Sequence, residues 1–66
     1  MKLTNLQDRK ECAQEIAEVR KTGRVNMWDR MGVAEVLYDL GYDFTAEHIT
    51  DNRDDYLSLL KESGKY

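Results

Sequence analysis

The side chains able to do chemistry in this 66-residue chain are one cysteine, one histidine and a large set of carboxylates. Cys12 would need a neighbouring base and a lowered pKa to act as a nucleophile. It lies instead with Ala13 and Ile16 on an apolar helical face, where a thiol is normally a small, inert hydrophobe. His48 follows Glu47, yet no second histidine stands one helical turn away to complete a zinc pair, so it reads as a partly exposed helical residue. With no Gly-rich phosphate loop and no paired nucleophile and base, the sequence predicts no enzyme, no metal and no cofactor.

The acidic run Asp51-Asn52-Arg53-Asp54-Asp55, with Glu62 at the twelfth position, has the carboxylate density of a calcium loop. Its third ligand position is Arg53, its turn glycine is replaced by Tyr56, and Leu57, Leu59 and Leu60 continue a helical stripe through it, so calcium binding is not expected. A helix-turn-helix is the other motif to weigh, because Ala34 to Leu40, the turn at Gly41, then Thr45 and Ile49 follow that layout. Its second helix would bring Glu47, Asp51, Asp54 and Asp55 to a polyanion, the wrong sign for phosphate contacts. A small DNA-associated regulator with a degenerate helix-turn-helix is therefore the second functional reading, and direct nucleic-acid binding through that helix is not expected.

These residues must be positioned by helices. Arg24 to Tyr42 holds the densest apolar pattern and the only tryptophan. At 100° per residue Met27, Met31, Val33, Ala34, Val36, Leu37, Tyr38 and Leu40 fall in an arc of roughly 220°. So wide an arc must be covered on two sides, which makes this second helix, about residues 27–40, the centre of an all-α, compact three-helix domain with Leu37 and Leu40 fully buried. A first helix spans about residues 5–22: Thr4 and Gln7 have capping-box spacing, Leu3 is placed as a staple, and Gly23 supplies the stop.

The apolar face of the first helix is Leu6, Cys12, Ala13, Ile16, Ala17 and Val19, and Arg9 and Arg20 project from the same side. They either lay their stems along the core rim or mark a surface for a carboxylate-bearing partner. A third segment, about residues 45–62, repeats Ala46, Ile49, Tyr56, Leu57, Leu59 and Leu60 at helical spacing. Asn52 with Asp55 three residues on predicts a bend at Asp51-Asn52 that splits it into a short and a longer helix. Either Asn26 or Asp29 caps the second helix. If Asp29 does, Met27 and Trp28 form an apolar entry loop folded on the core; if Asn26 does, Trp28 points to the polar sector and stands exposed.

The chain is one domain, near the lower size at which a single core offsets chain entropy unaided. A single cysteine allows no intrachain disulfide, no secretory leader opens the chain, and no apolar run approaches the 18 to 20 or so residues that span a bilayer, so a cytoplasmic location is expected. The net charge of -3 is unevenly spread. Residues 1 to 25 carry six cations and four carboxylates, and the remainder carries four and nine. Either the first helix packs beside an acidic neighbour or two copies associate head to tail. Marginal size and the apolar Met27, Trp28 and Tyr42 near the ends of the second helix also make a homodimer an expectation.

The run Asn26-Met27-Trp28-Asp29, then Ala34 and Val36-Leu37-Tyr38-Asp39-Leu40-Gly41-Tyr42, then Ile49 to Tyr56 with Arg53 between them, resembles a family of small uncharacterised proteins. They are encoded by phages and prophages of Gram-positive bacteria, and the resemblance covers about residues 13–60. It implies phage origin, a compact helical fold and a small accessory protein that acts by binding something else, and it carries over no catalytic residues. The acidic Asp51 to Asp55 segment departs from the family pattern.

The surface expected to carry function is acidic. Glu47, Asp51 and Asp54 share one sector of the third segment, and the residues four positions on from them, Asp51, Asp55 and Ser58, leave them unneutralised. Such a stripe, with Asp43 and Asp55 at its margins, would dock on the basic surface of a protein partner. Trp28 is the alternative anchor of a protein contact.

Overall fold

The computed structural model describes residues 6–66, with side chains from Asp8 onward. The capping box of Thr4 and Gln7, the Leu3 staple and the burial of Leu6 lie outside the described residues. Four helices follow one another: α1 (Leu6–Thr22), α2 (Arg30–Asp39), α3 (Asp43–Asp51) and α4 (Arg53–Ser63). The all-helical architecture is as the sequence predicts. The count is four because the third segment does break at Asn52.

Helix α1 keeps the face read from its period: Cys12, Ala13, Ile16, Ala17 and Val19 are all buried. Its end is also as expected, with Gly23 at positive φ. Helix α2 starts later than residue 27, because Asp29 is its cap and accepts a hydrogen bond from the Gly32 N–H. Gly32 is needed for this closure. A Cβ there would lie 2.5 Å from Asp29 Oδ2 and 2.6 Å from Val25 Cγ2. Asn26 is used as well, one step earlier, where its side-chain oxygen accepts the Trp28 N–H and turns the entry loop. Met27 then packs on the core, and its carbonyl accepts the hydroxyl of the buried Tyr56.

The buried face of α2 is Val33, Ala34, Val36 and Leu37, an arc of about 160°. Met31 and Tyr38, at the margins of the broader expected arc, are exposed. Leu40, expected to be buried, is 41% exposed. Its place in the helix stop explains this. The Tyr42 N–H bonds the Leu37 carbonyl and the Gly41 N–H bonds the Tyr38 carbonyl, a Schellman ending that needs the left-handed Gly41. That ending folds Tyr42 back onto the core in place of Leu40.

Helix α3 begins at Asp43 with Tyr42 as its cap, not at Thr45, and no side chain caps it. Its far end is built with care. Asn52 sends both its backbone N–H and its side-chain amide back to the His48 carbonyl. Arg30, the first residue of α2, donates to the carbonyls of Ile49 and Thr50. A helix that stops leaves its last carbonyls without intrahelical partners, so these contacts let the chain break at Asn52 without burying orphan acceptors.

Helix α2 packs chiefly on α3 and α1 chiefly on α4, and contacts between α1 and α2 and between α3 and α4 join the pairs. Helix α2 is thus covered on two sides, as expected, but as one of four equal members and not as the centre. Among the described residues, eleven buried ones from all four helices form the core. Leu37, with no exposed surface, should cost about 2 to 5 kcal/mol on truncation to alanine. Leu40→Ala should cost about 0.5 kcal/mol or less, the range of surface positions. Thermal or urea melts of the two variants check both values, and equal costs would contradict this placement of the two leucines.

Candidate functional site

The polar residues of the chain divide between an internal node and an exposed face. The node centres on Asp55 in the first turns of α4. One carboxylate oxygen of Asp55 receives the Arg9 guanidinium of α1 at 2.6 Å, and the other meets His48 Nε2 of α3 at 2.5 Å. Arg9 also reaches Ser58 at 3.0 Å and Glu62 at 3.4 Å. Asn52, a donor, lies 3.4 Å from His48 Nδ1, which fits an imidazole that accepts at Nδ1 and donates from Nε2 to Asp55.

The electrostatics of the node follow from this geometry. Burial alone would raise the Asp55 carboxyl, but the hydrogen bonds from Arg9 and His48 outweigh it and hold the pKa below the ordinary value. The Arg9 guanidinium is raised in turn, first by its hydrogen bond to Asp55. Arg20, the second basic residue of that α1 face, donates to the hydroxyl and carbonyl of Ser63 and to the Leu60 carbonyl at the end of α4. Arg9 thus finds its carboxylates in α4 of the same chain, while Arg20 meets only a hydroxyl and backbone carbonyls there. Asp55, expected at the margin of a docking stripe, is turned inward with its side chain only 10% exposed. His48, expected to be partly exposed, is buried because the same carboxylate binds it.

Cys12 is also held in a buried array. The Thr45 hydroxyl donates to Glu15, so Cys12 serves as donor to the Thr45 oxygen, 3.2 Å away. Desolvation pushes the Cys12 thiol above its usual pKa, the reverse of what a nucleophile needs. Among the described residues no group of three or more His, Cys, Asp or Glu side chains is arranged to hold a metal ion. No described helix is long and apolar enough to cross a membrane.

The remaining acidic residues do form a surface. Asp43, Glu47 and Asp51 recur every fourth position along α3 and are exposed. Phe44, in the same sector, is 55% exposed and lines two adjoining grooves. On one side it meets Asp8, Glu11 and Glu15 of α1 and Asp43; on the other, Glu47 and Asp51. A third groove continues from Asp51 to Asp54 across the Asn52 break. Arg53 and Asp55 line this third groove as well. The structure thus brings together Asp43, Glu47, Asp51 and Asp54, while Asp55 at the groove's edge spends both carboxylate oxygens on Arg9 and His48.

Sequence reading missed Phe44, Asp8 and Glu11 on this face. Had α3 been started at Asp43, a helical wheel would have put Phe44 within about 60° of Glu47 and about 20° of Asp51.

Trp28 is separate from this face. It is 77% exposed despite the Asp29 cap, so only the Met27 half of the expected apolar entry loop folds on the core. It lines a shallow groove with Leu57, Leu60 and Lys61 of α4.

Fold and surface together define a small four-helix protein with an internal charged node and an acidic outer face. The chain belongs to the family described as a domain of unknown function, DUF5049, whose model matches residues 9–60. That span includes Arg9, His48 and Asp55 and reaches into all four helices. No curated protein and no solved structure matches the chain.

Two outcomes follow. A group whose folded pKa is depressed stabilises the protein above its unfolded pKa, about 3.9 for Asp, and that stability is lost as pH falls through the folded value. The gap in unfolding free energy between wild type and Asp55→Asn should therefore be present above about pH 4 and close on acidification. A gap independent of pH would contradict the node. Cys12 should resist a thiol reagent at neutral pH in the native protein and react fully once unfolded; fast native labelling would show an accessible thiolate.

Proposed function

We propose that this chain is a small, non-enzymatic accessory protein of phage type that works in the cytoplasm of a bacterial host. It modulates or inhibits a host or phage protein by docking its acidic face on a basic surface. The observation that carries this reading is Phe44, a large aromatic left exposed amid Asp43, Glu47 and Asp51. An apolar anchor ringed by charge is the arrangement from which protein contacts draw both affinity and orientation: the ring fills a pocket, and the carboxylates steer encounter and reject wrong partners. A basic surface that ordinarily holds nucleic acid is one such target.

The DNA-regulator reading finds less support. The α2, Gly41, α3 sequence does form two helices about a glycine turn, yet α3 carries its exposed carboxylates where phosphates would lie.

Capture of partners from host lysate on immobilised protein tests the proposal, with Phe44→Ala and the triple swap of Glu47, Asp51 and Asp54 to Lys beside wild type. Glu35→Lys, on the exposed side of α2, is the control. Bound proteins should fall at least tenfold with the first two and stay unchanged with the control. Equal capture by all four proteins at the same salt would remove the acidic face from consideration.

A further inference from the structure

The groove at Trp28 has the opposite character from the acidic face. Its lining is Trp28, Leu57, Leu60 and Lys61. Arg53 and Lys61 stand one helical turn to either side of Leu57 on α4, and both are exposed. The groove is thus an apolar slot with one cation, Lys61, in its lining and Arg53 exposed a turn away beside Asp54. The α3 face is an exposed phenyl ring rimmed by anions; the Trp28 groove shares no lining residue with the two grooves about Phe44, and Arg53 stands between, in the groove at the Asn52 break. Each surface offers what the other lacks, in charge and in shape.

We propose that a second copy of this chain occupies the Trp28 groove, inserting Phe44 beside Trp28 while Asp43, Glu47 and Asp51 meet Lys61 and Arg53. This rests on the reading of the α3 face as a docking surface and adds a second copy of the chain as an occupant, in competition with the host or phage protein. The contact is head to tail, because a two-fold pairing of groove with groove would set Arg53 and Lys61 against their own kind. Such a heterologous contact builds a ring if the rotation closes and a filament if it does not. The surplus of cations in the first third of the chain does not contribute to it, since Arg9 and Arg20 of α1 are engaged by α4 within the chain. The support comes from the surfaces left exposed after those internal pairs form.

Trp28 is the sole tryptophan and reports on its own groove. In wild type, its emission should shift to the blue and the mass from light scattering should rise as concentration increases, with both effects reduced by salt. Trp28→Ala and Phe44→Ala should each remain monomeric, and both positions are exposed enough for the variants to fold, which circular dichroism verifies. Titrating Trp28→Ala, which is spectroscopically silent, into Phe44→Ala should restore a saturable blue shift and a mass no larger than a dimer. The charge reversals Lys61→Glu and Glu47→Lys should each weaken association alone and restore it when mixed, with a mass that again rises past a dimer because both orientations of the contact then pair opposite charges.

A wild type that stays monomeric at every soluble concentration overturns the inference. So does self-association that the mixed variants fail to restore, which would indicate a groove-to-groove contact. If the monomer persists while Phe44-dependent capture from lysate is seen, this inference falls and the docking role of the α3 face stands.

Discussion

A single carboxylate ties three of the four helices together. Asp55 in α4 accepts from Arg9 of α1 and from His48 of α3, two residues 46 and 7 positions away. Removing such a charge from water is costly unless it is paired and hydrogen-bonded, and once it is paired, deleting one partner leaves the other stranded at about 3 to 5 kcal/mol. Every member of this node has its partner: among the described residues no buried side-chain nitrogen or oxygen lacks one. The node fixes the register of α4 against α1 more sharply than small apolar side chains could. The α1 contribution to the core includes Cys12, Ala13 and Ala17, which leave the axial position of a neighbouring helix loosely specified.

The node depends on the break at Asn52. A continuous rod from Asp43 to Ser63 would carry Asp55 on α3's own axis, two turns beyond His48. The turn at Asn52 lets α4 set off in a new direction and bring that carboxylate back to the imidazole. The cost of the break is met locally: Asn52 returns to the His48 carbonyl, and Arg30 covers Ile49 and Thr50. Asn52 and Arg30 therefore act on the same junction from opposite sides, one from within the segment and one from α2.

This dependence also separates what was legible in the sequence from what was not. The face of α1 was readable because its period runs unbroken over 17 residues. The stops at Gly23 and Gly41 and the bend at Asn52 were readable because they are local chemistry. Leu40 was misplaced because a periodic wheel ignores the Schellman reversal that gives its site to Tyr42. Asp55 and His48 were misplaced for a related reason. A wheel drawn across Asn52 assumes one axis, and it places Asp55 beside Asp54 at the edge of a solvent stripe when the new axis turns Asp55 inward. The partner that holds it there, Arg9, is distant in sequence, and periodicity carries no information about which long-range cation meets which carboxylate.

Charge segregation in the sequence now has two separate meanings. Part of it is consumed internally, since Arg9 and Arg20 of the cation-rich first third engage α4. What remains outside is unevenly placed, with the carboxylates of α3 gathered about Phe44, Asp54 of α4 continuing them past the break, and Lys61 beside Leu57 and Trp28. Helices α3 and α4 each bury one face in the same small core and show solvent only the other. A chain of this length buries a smaller fraction of its surface than a larger domain, so large apolar residues such as Phe44 and Trp28 stay exposed within patches of opposite sign. The bend that completes the internal node is thus also the feature that points the two outer patches in different directions.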